Sequence, residues 1–125
     1  MSEKSAAEKA HLKPGTTIAV LNSIPGVIGS LGLPVDSPFV PAAEAQLVLL
    51  FVNSMEELAT LMPPAVAALG PTASIWVFYR KGSRSAGLEM DRNDVWTAAE
   101  RLGLRPLGLL SIDETWSAFR LRPSR

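Results

Sequence analysis

The chain has no cysteine and a single histidine, His11, among its 125 residues. The first absence removes disulfides, thiolate zinc sites and thiol nucleophiles together, and it fits a reducing compartment. The second rules out a histidine-based metal cluster within one chain. Arginine is missing from the first two-thirds: none precedes Arg80. Long apolar runs are missing too. Residues 47–52 fall far short of the roughly 20 residues that cross a bilayer, and residues 1–13 lack the apolar centre of a secretory signal. From these absences a soluble cytoplasmic protein is expected.

Twelve basic and twelve acidic residues cancel, so no strong field favours a polyanion. The last third is mildly basic, but its arginines are spread over loops, a helix and the C-terminus. Nucleic acid is therefore not the expected partner. The length fits one domain over residues 1–125, with 1–12 as a flexible lead-in, and a chain of this size buries roughly two-thirds of its unfolded surface without staples.

Two apolar runs, 46–52 and 74–79, are nearly continuous in Val, Leu, Ile and aromatics. This suits strands buried on both faces of a parallel sheet. Between them Ser54 and Glu57 form a capping box, followed by Leu58, Leu61, Met62, Val66 and Leu69 at helical spacing. The result is a βαβ unit. Pro63 and Pro64 lie inside the helical pattern and predict a break near Leu61.

A first strand is expected at 16–21, after the turn signal Lys13-Pro14-Gly15, and a short helix at 24–31 capped by Ser23. Prolines 34, 38 and 41 make 33–41 a loop or at most an edge segment. Asp91 to Asp94 open a second helix through Val95, Trp96, Ala99 and Leu102, which Gly103 closes. The runs 105–112 and 115–121 are joined so tightly that they must pair antiparallel.

Parallel βα units closed by such a hairpin resemble the second half of the class I, S-adenosylmethionine-dependent methyltransferase fold. Residues 69–77 look like that family's strand after a glycine-containing turn, and 104–121 like its terminal hairpin. The chain is also similar to a family of small uncharacterised bacterial proteins with the segments Lys13-Pro14-Gly15, Tyr79-Arg80-Lys81-Gly82-Ser83 and Asp113-Glu114-Thr115-Trp116-Ser117. The first resemblance implies an α/β fold: a three-layer Rossmann-like sheet, mostly parallel, with about four parallel strands, one antiparallel strand and an antiparallel C-terminal hairpin. It also implies a site for S-adenosylmethionine, and there the sequence departs from it. Asn22-Ser23-Ile24-Pro25-Gly26 replaces the glycine-rich first turn, and the second and third strands, with their ribose-binding acid, are lost or vestigial. Asp36 and Glu44 end no strand. No cofactor is expected.

Ligands of open α/β sheets bind beyond the carboxyl ends of the parallel strands. That rule selects Asn22, Ser23, Asn53, Lys81, Ser83 and Arg84 as an anion-binding group, with helix N-termini adding free N–H groups. The same residues read more readily as helix caps and a solvated loop, since no P-loop spacing is present. Asp113, Thr115 and Trp116 form a second constellation at the hairpin, where an acid also belongs for local reasons. No serine has a histidine to activate it, and no Gly-x-Ser-x-Gly elbow occurs. No catalytic residue and no metal site is assigned. The expected function is a non-catalytic binding or interaction module on a degenerate methyltransferase-like scaffold, with a protein partner or a second copy as ligand. The alternative is a small nucleotide- or anion-binding enzyme, S-adenosylmethionine-dependent in one version.

Overall fold

The computed structural model describes residues 16–22, 39–70, 72–80, 92–112 and 116–123, and the statements that follow concern these. Strands β1 (Ile18–Leu21), β2 (Leu47–Phe51), β3 (Ser74–Arg80), β4 (Leu104–Ser111) and β5 (Trp116–Pro123) form one sheet in the order β1-β2-β3-β5-β4. Helix α1 (Met55–Ala67) lies between β2 and β3 in sequence, and α2 (Arg92–Arg101) between β3 and β4. The first three strands are parallel, while β5 is antiparallel to both β3 and β4. Four strands thus point one way and β5 the other. The fold is mixed α/β with an antiparallel C-terminal pair, as the two apolar runs and the tight hairpin require.

Every residue of β2 is buried, because the strand has a neighbour on each side and apolar side chains on both faces. On one face Val48, Leu50, Ile75 and Val77 join Leu58, Met62 and Ala65 of α1 and Val95 and Ala99 of α2. On the other, Ile18, Leu49, Phe51, Trp76, Phe78 and Trp116 form a separate cluster. There the rings of Phe51 and Phe78 stack 4.3 Å apart, and Trp116 meets Phe51 edge-on at 6.0 Å. Both described helices cover the first face. The helix expected at 24–31 lies outside the described residues, as do 1–15 and the basic loop after Arg80.

The prolines of α1 do not divide it: the helix runs unbroken over 13 residues with Pro63 and Pro64 inside, against the break expected near Leu61. The reason is the side on which they sit. A proline deprives the carbonyl four residues earlier of its partner, here those of Ala59 and Thr60. All four residues are exposed, on the side of the helix where solvent is at hand for the two carbonyls. Meanwhile Leu58, Met62 and Ala65 hold the opposite face in the core. That burial holds the helix together across a local preference against it.

At its start α1 has the expected cap, with Ser54 Oγ accepting from Glu57 N–H at 3.1 Å. Helix α2 ends at Gly103, whose φ of +77° is the left-handed position that glycine occupies without steric cost. The segment around Pro41 contributes a single parallel bridge, Phe39 to Ile18, and a short 3-10 turn, Ala42–Glu44. This is an edge segment at most. At the far edge β4 carries Pro106 and a bulge between Pro106 and Gly108, two devices that discourage further strand addition.

Candidate functional site

The carboxyl ends of β1, β2 and β3 lie side by side, as the register Leu21 with Leu50 and Phe51 with Phe78 shows. The chain leaves β1 through Asn22, whose φ of +54° makes it the one described residue other than glycine in the left-handed region. Asparagine tolerates that conformation better than most side chains. The turn aims its carboxamide across the sheet: Nδ2 donates to the Phe51 carbonyl at 2.7 Å and to Glu57 Oε1 at 3.1 Å. The same Glu57 oxygen accepts from the Asn53 N–H at 2.8 Å and from Asn53 Nδ2 at 3.2 Å.

Glu57 therefore ties three elements together: the end of β1, the end of β2 and the first turn of α1. In a capping box the glutamate returns to the N–H of the capping residue. Here it reaches one residue further back, to Asn53, and gathers Asn22 as well. An acid in the first turn also suits the positive end of the helix dipole. Sequence reasoning placed Asn22 and Asn53 at this edge but gave Glu57 only its capping role. The Ser54–Glu57 spacing was the available signal. What it could not show was the partner 35 residues earlier.

At the neighbouring strand end the Arg80 guanidinium carbon lies 5.1 Å from the centroid of the Trp116 ring, the two residues facing each other across β3 and β5. Trp116 is buried at 4 % exposure, so its ring forms the floor on which Arg80 rests. Ser23, Lys81, Ser83, Arg84, Asp113 and Thr115 lie outside the described residues. The structure thus brings Asn22 to Asn53, and Trp116 to Arg80. Among the described residues no three His, Cys, Asp or Glu side chains converge as metal ligands, and no helix is long and apolar enough to cross a membrane.

A second concave surface lies between the helices on the outer side of the sheet. Its volume is ≈ 410 Å³, its walls include Met55, Leu58, Met62 and Pro63 of α1, and Asp94 and Arg101 of α2 stand beside it.

No protein-family model matches the chain. No curated protein matches its sequence. Solved structures do match its fold. A ribosomal-protein methylase from Lactobacillus delbrueckii subsp. bulgaricus superposes with a TM-score of 0.61 at 12 % identity, covering 96 % of this chain and 76 % of its own. A mitomycin 7-O-methyltransferase gives 0.57 at 12 % identity, covering 88 % of this chain but 49 % of its own. Magnesium protoporphyrin IX methyltransferase from Synechocystis, solved with bound S-adenosylmethionine, gives 0.55 at 10 % identity, covering 89 % and 71 %. The chain is shorter than these neighbours, and at such identities the likeness is one of fold: a Rossmann-like sheet, which these methyltransferases also have.

Proposed function

We propose that the chain is a non-catalytic binding or interaction module on this methyltransferase-like scaffold, with a protein partner or a second copy of itself as ligand. The observation that carries the reading is the use of polar groups at the strand ends. Asn22, Asn53 and Ser54 stand where an α/β sheet ordinarily receives a ligand. Their side chains are instead engaged with Glu57 and the Phe51 carbonyl. Asn22 Nδ2 spends both of its hydrogens and Asn53 Nδ2 one of its two within the protein, which leaves fewer side-chain donors at this edge for a cofactor.

The alternative is a small S-adenosylmethionine-dependent or nucleotide-binding enzyme. It draws support from the fold shared with a neighbour solved with that cofactor. One experiment separates the two. Thermal unfolding is followed with S-adenosylmethionine, its demethylated product and nucleotides, and light scattering is recorded over a range of protein concentration. We expect no saturable stabilisation by any of the small molecules and a mass above that of one chain as concentration rises. Saturable stabilisation by S-adenosylmethionine, abolished by Lys81→Ala, selects the enzyme instead.

A further inference from the structure

The amino ends of the parallel strands, opposite the edge described above, hold a small recess of ≈ 130 Å³ with mixed polar and apolar walls. Its lining includes Thr16, Gln46, Ser74, Trp76 and Arg120. These residues come from the approaches to β1 and β2, from β3 and from β5, so the recess exists only once the sheet is assembled. Ser74 and Trp76 alternate onto the same face of β3, and Trp76 stands directly opposite Arg120 in the antiparallel pairing.

The bulge in β4 determines where Arg120 lies. Gly108 is its partner across the β4–β5 ladder. A methyl group at that glycine would come within 2.9 Å of Arg120 Nη2. The guanidinium therefore rests over the bare glycine backbone, at a φ of +145° that other residues rarely adopt. The bulge and the glycine together make room for a flat cation.

Arg120 Nε is buried and makes no hydrogen bond among the described residues, and Arg122 Nε, two positions along the same face of β5, is in the same condition. Arg122 in turn pairs with Arg105 in the ladder, so three arginines lie on adjoining strands, of which Arg120 lines the recess. Buried donors without acceptors are costly, and cross-strand like charges repel. No acid lines the recess. The Gln46 carboxamide has its oxygen turned toward Thr17 N–H at 3.1 Å, which leaves Nε2 as a donor. The Ser74 hydroxyl completes the set.

We infer that this recess is a binding site for a compact tetrahedral oxyanion, a phosphate or the terminal phosphoryl group of a small monoester. Guanidinium forks match such oxygens in pairs. The recess, ≈ 130 Å³ and open to solvent, admits a phosphoryl group. The site lies at the opposite end of the strands from Asn22 and Asn53 and does not depend on the function proposed above.

The test is an NMR titration of the full chain with inorganic phosphate at constant ionic strength, chloride making up the balance. Saturable shifts are expected at the Ser74, Gly108 and Arg120 amides and at the Trp76 indole. Arg120→Met should weaken the affinity about tenfold or more, as loss of a charged hydrogen-bond donor does, with Arg120→Lys in between. Should Arg120→Met fail to fold, Ser74→Asp places a carboxylate in the same recess and should abolish binding. Phenyl phosphate binding as tightly as phosphate identifies the group as part of a larger ligand; tight binding of phosphate alone identifies the free ion. Absence of saturable shifts, shifts centred on residues 80–85, or an affinity unchanged in the folded Arg120→Met or Ser74→Asp protein would overturn the inference.

Discussion

Glu57 holds the most consequential position among the described polar residues. One carboxylate oxygen receives three donors, from Asn22 Nδ2, Asn53 N and Asn53 Nδ2, in a partly solvated setting where each charged hydrogen bond contributes modestly. Glu57→Ala should cost about 1–2 kcal/mol, summing a lost cap interaction and lost bonds to the strand ends. A double-mutant cycle with Asn22→Ala should show a coupling of about 0.5–1.5 kcal/mol, because the two side chains share a direct bond. Denaturant unfolding of the four proteins measures both quantities, and a coupling of zero would mean that the bond across β1 and α1 contributes nothing. The Ser54–Glu57 half of this cluster was legible in the sequence, since capping is a local interaction within one turn. The Asn22 half was not, because only the parallel pairing of β1 with β2 brings the left-handed turn beside the helix.

At the scale of elements, local pattern and tertiary burial compete most openly in α1. Its capping residue and apolar spacing predict a helix, while Pro63 and Pro64 predict its end. Burial of Leu58, Met62 and Ala65 decides in favour of the helix. Fully burying an apolar side chain contributes about 1.5–3 kcal/mol, against about 3 kcal/mol for a proline in a helix interior. Two prolines cost about 6 kcal/mol on that scale, which the burial of Leu58 and Met62 offsets together with Leu61, Val66 and Leu69 packed against the same core. It follows that Pro64→Ala, at an exposed position, should stabilise the protein by about 1–3 kcal/mol. A higher denaturation midpoint with an unchanged slope is the expected result; a lower midpoint would show that Pro64 has a packing role. The strands present less conflict. Buried β2 and β3 are continuous apolar runs, and the hairpin of β4 and β5 is joined by too few residues for any other pairing, so all four were legible. The bulge at Pro106 and Gly108 was not, because its consequence is the position of an arginine on the neighbouring strand.

For the whole molecule the order β1-β2-β3-β5-β4 determines which hydrogen bonds are hardest to open. Strands β2 and β3 are flanked on both sides and buried on both faces, whereas β4 is an edge with Leu107 and Leu109 each 42 % exposed. Native-state hydrogen exchange should therefore be slowest for ladder amides of β2 and β3 and faster for β4, with β1 also ahead of the centre. Equal protection in β4 and β2 would imply that the outer edge is covered in solution.

The sequence by itself determined the elements that rest on near neighbours: the apolar strands, the capped helix, the glycine stop at Gly103 and the antiparallel hairpin. Their physical basis is the periodicity of side chains and the limited reach of a short connection. The tertiary structure alone decided where β5 enters the sheet, why α1 survives its prolines, and which polar groups meet. Asn22 and Glu57 are 35 residues apart, and Ser74 and Arg120 line one recess only because a strand is inserted out of sequence order. Such encounters depend on register and burial across the whole sheet, and no local pattern encodes them.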